Sequence, residues 1–140
     1  MIMQAYTDGS YKKKDNGEYG VGWCFLILGE DGESIAYEEH GSLNEYKEHR
    51  NVAGELYAVV QLIGWCEENG ITEIDLHYDY LGVEAWANGS WKRNKPLTKR
   101  YKEFMDGTSV TVNFHHCCGH SGVYGNEQAD KLAKDGVDLK

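Results

Sequence analysis

Three strand-like segments stand at the start of the chain, and this arrangement constrains the fold more than any other feature. The segments at residues 2–7, 19–28 and 34–39 have the composition or the alternation of β-strands. The Asp31-Gly32 pair before the third segment suits a hairpin turn with positive φ, and Asp8-Gly9-Ser10 is expected to end the first strand. Strands joined by tight turns predict an antiparallel meander.

Helical and strand-like periods alternate along the rest of the chain. Apolar residues recur at three- and four-residue steps after Asn51, so a helix is expected there, ending at Asn69-Gly70. Strand-like segments follow at residues 71–78 and 110–117, and helical ones at 83–88, 97–105 and 126–134. A chain of 140 residues has room for one domain with a real core. This order predicts a mixed sheet of α/β or α+β type.

The charge of the chain is unevenly distributed. The formal net charge of -9 disfavours a nucleic-acid partner, because phosphate binding is largely electrostatic. One segment nevertheless carries only basic charges: Lys92, Arg93, Lys95, Lys99, Arg100 and Lys102. This pattern fits a polyanion held at one face, and the simpler alternative is a solvated helix.

The cysteines and the apolar runs indicate a cytoplasmic protein. No apolar run approaches the roughly 18 residues of a membrane helix, and a strand is expected within a few residues of the start, without a signal peptide. The cysteines are Cys24, Cys66, Cys117 and Cys118. Zinc binding by the segment from His115 to His120 is disfavoured, because consecutive strand residues point to opposite faces. Free thiols in a reducing compartment are expected.

Four carboxylates have positions from which they can meet. Asp8 and Asp79 are expected at the ends of two strands, Glu55 at the edge of the apolar stripe of the first long helix, and Asp130 in the last helix. Clustered carboxylates raise each other's pKa. Hard divalent cations, which prefer oxygen ligands, would neutralise their negative charge. Two magnesium ions about 4 Å apart can align an attacking water and a leaving oxygen across a phosphodiester. For Glu55 alone, a surface salt bridge is the alternative.

Five short motifs occur in a familiar order. They are Thr7-Asp8-Gly9-Ser10, Gly54-Glu55-Leu56, Tyr78-Asp79, Gly119-His120-Ser121-Gly122 and Asn126-Glu127-Gln128-Ala129-Asp130. Each is weak alone, but the series resembles type 1 ribonuclease H from about residue 3 to 135, and the segment after Asp79 resembles the bacterial branch related to viroplasmin-type enzymes. The resemblance implies a five-stranded sheet, with three antiparallel strands followed by parallel ones, and helices on both faces.

The resemblance also implies an activity and its residues. Such enzymes hydrolyse the RNA strand of RNA–DNA hybrids and leave 5′-phosphate and 3′-hydroxyl ends. Asp8 matches the carboxylate that touches both of two Mg²⁺ ions, for which Mn²⁺ can substitute. Glu55 and Asp79 match ligands of one ion, and Asp130 a ligand of the other. His120 matches the loop histidine of proton transfer or product release, although a lone loop histidine is usually only polar surface. Glu127 matches an accessory acid.

Substrate contacts follow from the same resemblance. Asn51 matches a minor-groove contact, and Ser10 is placed to contact the backbone or a 2′-hydroxyl, which distinguishes RNA from DNA. The basic segment with Lys92, Arg93 and Lys95 matches the region that grips the DNA strand. The chain departs from the commonest pattern in three respects: Tyr80 stands where a serine is frequent, residues 12–17 replace a glycine-rich turn, and only one of two paired asparagines precedes Glu55.

The expected organisation is a single ribonuclease H catalytic domain over residues 1–140, monomeric and without a separate hybrid-binding domain. Two alternatives share the fold: a non-catalytic hybrid-binding module, and another nuclease. A module that only binds would gain by losing anions beside phosphate, so the presence of all four acids favours an enzyme.

Overall fold

One mixed sheet organises the computed structural model, which describes residues 2–45, 47–91, 95–117 and 123–139. Its strands are β1 (Met3–Lys13), β2 (Tyr19–Leu28), β3 (Ile35–Leu43), β4 (Glu73–Tyr78) and β5 (Thr111–His116). They lie in the order β3-β2-β1-β4-β5. The pairs β1–β2 and β2–β3 are antiparallel, whereas β1–β4 and β4–β5 are parallel. The predicted mixed sheet, with its antiparallel meander, is confirmed.

Helices cover both faces of this sheet. They are α1 (Asn51–Glu68), α2 (Gly82–Ala87), α3 (Pro96–Gly107) and α4 (Tyr124–Gly136), with a short 3-10 turn at Lys47–His49. Successive strand side chains point to opposite faces. Phe25 of β2 therefore joins the larger core with α1, α2 and α3, whereas Cys24 and Leu26 pack against α4. Within the described residues, no helix combines the length and the apolar character that crossing a bilayer requires.

The expected end of the first strand is wrong. β1 continues through Asp8-Gly9-Ser10 and pairs with β2 as far as Lys13 opposite Tyr19. The third strand likewise extends to Leu43, because it stays paired with β2 up to Val21. A glycine in a strand can mark a close approach of another backbone instead of a turn. Asp8 accordingly lies inside a strand, and not at its end.

The approaching backbone at Gly9 is that of α1. A Cβ on Gly9 would lie 2.3 Å from the backbone nitrogen of Glu55 and 2.6 Å from the carbonyl oxygen of Asn51. A Cβ on Gly54 would lie 2.3 Å from the carbonyl oxygen of Gly22 and 3.1 Å from the Cα of Gly9. Real Cβ atoms do not approach backbone atoms as closely as 2.3 or 2.6 Å, so glycine at both positions lets α1 lie directly on the sheet.

Two glycines of α1 test this contact. Gly54→Ala is expected to lower the free energy of unfolding by about 1 to 3 kcal/mol, because the added methyl group overpacks the contact with β1 and β2. Gly64→Ala is the matched control: its Cβ would meet no described atom within 4 Å. Because alanine favours a helix, this variant should be more stable than the wild type by about 0.5 to 1 kcal/mol. Urea denaturation measures both changes, and stabilisation by both would contradict the proposed role of Gly54.

Candidate active site

The parallel pairing of β1 with β4 places two of the predicted acids side by side. Every recorded pair of these strands has the same offset, from Met3 opposite Ile74 to Tyr6 opposite His77. Continued by two residues, this register brings Asp79 opposite Asp8. At that point β4 has ended at Tyr78, while β1 continues along β2. The two carboxylates therefore lie where β1 and β4 separate, at the carboxyl end of β4, a frequent location of ligand sites in open sheets.

Helix α1 brings the third acid to the same point. Glu55 follows Gly54 directly, and its side chain is only 2% exposed. Its neighbours Leu56 and Val59 belong to the apolar core, so the helix is held on the sheet by packing while its acid points at the strand separation. Oxygens of Asp8, Glu55 and Asp79 lie within 4.8 Å of one another. The alternative of a surface salt bridge for Glu55 is therefore wrong.

Burial and mutual repulsion control the protonation of this cluster. Burial raises the pKa of Asp8 to about 7, the hydrogen bond with Glu55 opposes this rise, and the charge of Asp79 adds to it. Burial is also the largest cause of the raised pKa of Glu55, followed by the charge of Asp8. The pKa of Asp79 is raised chiefly by burial too. The free cluster thus holds protons at a pH where exposed carboxylates have lost them.

One oxygen of the cluster lacks a partner. Oε2 of Glu55 is buried and makes no hydrogen bond. A buried acceptor without a partner costs about 1 to 3 kcal/mol. The cluster therefore has unmet capacity to bind through this oxygen of Glu55.

The fourth predicted acid lies beside the cluster and not within it. Asp79, Asn126, Glu127 and Asp130 line a cavity of about 190 Å³. Asp130 is close enough for its charge to raise the pKa of both Asp8 and Asp79, and its Oδ2 lies 3.0 Å from Nζ of Lys134. Asp79 consequently belongs to both the three-acid cluster and the cavity.

Two residues of this site were missed by the sequence reasoning. His116, placed by the sequence only within a strand-like segment, lies opposite Tyr78, and its Nε2 is 2.9 Å from the carbonyl oxygen of Asp79. Because a carbonyl only accepts, Nε2 carries the proton and donates it. Asn126, interpreted only as a helix start, lines the cavity and is 3% exposed. A usable signal for His116 was its position at the end of the strand that neighbours Asp79.

The other predicted site residues lie around the cluster or outside the described residues. Ser10 is largely buried in β1, Asn51 is exposed at the first position of α1, and Lys95 is exposed just before α3. Their contacts with a substrate stay predictions. His120, Lys92 and Arg93 lie outside the described residues.

Comparisons with known proteins agree with this architecture. A family model described as RNase H matches residues 2–138. Ribonuclease H of Jannaschia sp. is 32% identical over 147 residues, which cover 96% of this chain and 90% of that protein. The crystal structure of RNase H1 from Halobacterium salinarum has a TM-score of 0.72 at 25% identity and covers 98% of both chains. LC11-RNase H1, solved in complex with an RNA/DNA hybrid, shares the fold, with a TM-score of 0.74 at 17% identity over 96% of both chains.

The mixed five-stranded sheet with helices on both faces is that of a ribonuclease H-like fold. The chain belongs to the ribonuclease H family. The predicted fold class and the predicted class of enzyme are confirmed. The family is metal-dependent, and the cluster of Asp8, Glu55 and Asp79 is the candidate position for a cation. The roles of individual side chains stay predictions.

The raised pKa of Asp8 predicts how the stability of the cation-free protein depends on pH. An unfolded aspartate has a pKa of about 3.9, and folded Asp8 a pKa of about 7. Between these values the folded chain binds more protons, so its free energy of unfolding falls as the pH rises from about 4 to 7. Asp8→Asn should flatten this dependence and raise the melting temperature at pH 8 by several degrees. Thermal unfolding in EDTA at pH 5 and pH 8 measures the effect, and a variant less stable than wild type at pH 8 would contradict it.

Proposed function

We propose that this chain is a divalent-cation-dependent endonuclease that cleaves the RNA strand of RNA–DNA hybrids and leaves 5′-phosphate and 3′-hydroxyl ends. The observation that carries the proposal is the convergence of Asp8, Glu55 and Asp79, one of them with an unpartnered buried oxygen. A fold that needs only stability has no use for such a cluster, because each buried carboxylate lowers stability unless it is compensated. Membership of the ribonuclease H family supports the same reaction.

The donor atoms fit hard divalent cations. All three acids offer oxygen, which Mg²⁺ and Mn²⁺ prefer, and soft sulfur ligands are absent from this three-acid cluster. Asp8, Glu55 and Asp79 would hold one cation. Asp130, across the cavity it shares with Asp79, would contribute to a second, with Asp8 serving both. Bound cations would activate water and neutralise the charge that develops on the scissile phosphate.

The protein's own side chains supply the proton chemistry. The carboxyl of Glu55, whose pKa is raised well above its ordinary value, must release its proton before it can serve as a ligand. Glu127 is exposed and lines the cavity, so its carboxylate can exchange protons between the site and solvent. His120, which precedes α4 in the sequence, is proposed to assist proton transfer or product release. His116 acts on the backbone, because its hydrogen bond helps to hold Asp79 in place.

Recognition of the hybrid rests on residues on either side of the cluster. Ser10 and Asn51 lie close to the acids along β1 and α1, and they are proposed to contact the RNA strand or the minor groove. Exposed Lys95, with Lys92 and Arg93, is proposed to contact phosphates of the DNA strand. Because the chain carries a net charge of -9, these few local cations must provide most of the attraction. Binding should therefore weaken as the salt concentration rises, with a modest slope set by the small number of phosphates contacted.

The alternative of a non-catalytic hybrid-binding module is disfavoured by burial. Glu55 is 2% exposed, and its carboxyl lies against two further acids. Such an arrangement repels a phosphate and lowers stability, and it offers a pure binding module no compensating contact. The single-domain organisation, the monomeric state and the cytoplasmic location stay predictions.

A cleavage assay tests the proposed reaction. With Mg²⁺, the wild type should cleave labelled RNA in a hybrid, but neither duplex DNA nor duplex RNA. Asp8→Asn should lower the rate of cleavage by at least about a thousandfold, because replacing the carboxylate by an amide removes a negative charge that cation binding requires. Binding of the hybrid should persist. Asp75→Asn is the matched control, because Asp75 lies on β4 and bonds to Gln4 and Asn113 away from the cluster. It should cleave at nearly the wild-type rate. Substantial turnover by pure Asp8→Asn protein would refute the assigned role.

Thermal stability gives a test that does not depend on turnover. Mg²⁺ should raise the melting temperature of the wild type, because a ligand that binds only the folded state stabilises it. The rise should be larger at pH 8 than at pH 5.5, since protons on Asp8 and Glu55 compete with the cation. A melting temperature that does not respond to millimolar Mg²⁺ at pH 8 would contradict a cation site.

A further inference from the structure

Asn126 is a buried amide in an acidic cavity. It occupies the first turn of α4, is 3% exposed, and lines the cavity together with Asp79, Glu127 and Asp130. The side-chain amide of Asn126 makes no hydrogen bond to any residue that the structure describes. Because the residue is nearly buried and lines the cavity, a species bound in the cavity can supply the partner that its amide lacks.

Packing of α4 on the sheet does not explain the asparagine. Small neighbours make that contact: Gly125 lies against the ring of Tyr6, where a Cβ would be 2.5 Å from the ring atoms, and Ala129 is fully buried in the same core. Neither neighbour contributes a polar side-chain atom. The amide of Asn126 instead adds one oxygen and one NH₂ group to a cavity otherwise lined by acids.

The charges around the cavity determine which end of the amide is used. Three carboxylates surround it, so an anion is repelled and a cation is attracted. A divalent cation accepts neutral amide oxygens as ligands alongside carboxylates. A neutral oxygen donor adds a ligand without adding a further negative charge to a cavity whose acids already repel one another.

We propose that Asn126 presents its amide oxygen to the divalent cation held by Asp79 and Asp130, as a neutral cation-binding residue beside the acids. The inference rests on the proposed function, because it concerns the same cavity. It assigns a binding role in the first turn of α4 to the residue directly before Glu127. The NH₂ group is left to bond to water or to the neighbouring carboxylates.

Mg²⁺ titrations followed by the melting temperature at pH 8 test the assignment. Asn126→Ala should raise the Mg²⁺ concentration for half-maximal stabilisation by about tenfold or more. Asn126→Asp keeps an oxygen donor, so it should retain a Mg²⁺ requirement near or below that of the wild type. Its melting temperature in EDTA should fall by several degrees, because it adds a charge. Asn113→Ala is the matched amide deletion, since Asn113 of β5 bonds to Glu73 and Asp75 of β4. Its Mg²⁺ requirement should equal that of the wild type.

Three results would overturn the assignment, and they are distinguishable. If Asn126→Ala lowers the melting temperature equally with and without Mg²⁺, the residue is structural. If Asn126→Ala leaves the Mg²⁺ requirement unchanged but raises KM for the hybrid, and Asn126→Asp does the same, the amide donates to the substrate phosphate instead. If the wild type itself shows no response to Mg²⁺, the proposed function fails, and this inference fails with it.

Discussion

The contact between the backbones of β1 and α1 is the constraint on which the site depends. Gly9 and Gly54 let the helix lie so close to the sheet that a Cβ at either position would meet backbone atoms at 2.3 Å. Glu55, the next residue, is thereby delivered to the point where β1 and β4 separate. A helix held further away, at the usual side-chain spacing, would leave its acid short of Asp8 and Asp79. The active-site geometry is therefore produced by the absence of side chains at two positions.

The same arrangement places stability and function in opposition. Burial of three carboxylates raises their pKa and leaves one oxygen of Glu55 unpartnered. Around the acid, α1 buries four large aliphatic side chains: Leu56, Val59, Leu62 and Ile63. Full burial of one such side chain contributes about 1.5 to 3 kcal/mol, so the apolar stripe more than offsets the cost of the acid it carries. Helix α1 can hold the buried carboxyl group of Glu55 because the rest of its buried face is apolar.

The elements of the fold were largely predictable from the sequence, whereas their spatial relations were only partly so. The period of α1 and the Asn69-Gly70 stop located that helix correctly, and composition alone located β2. The end of the first strand was misplaced because Gly9 looks the same in sequence whether it forms a turn or admits a helix. His116 and Asn126 were overlooked for a related reason. Their importance arises from the register of β4 with β5 and from the position of α4, which a local pattern does not contain.

Asp79 connects the two parts of the site. It shares the cluster with Asp8 and Glu55, it lines the cavity with Asp130, and its backbone is held by His116. A shift of Asp79 would alter both the cluster and the cavity, so the site requires control of its position. The structure supplies this control through the backbone: the amide of Cys117 donates to the carbonyl of Tyr78 at 2.7 Å, and His116 donates to the carbonyl of the next residue. Strand β5 thus contributes no carboxylate of its own to the site. Together with Cys117 it positions Asp79, the acid that belongs to both the three-acid cluster and the cavity.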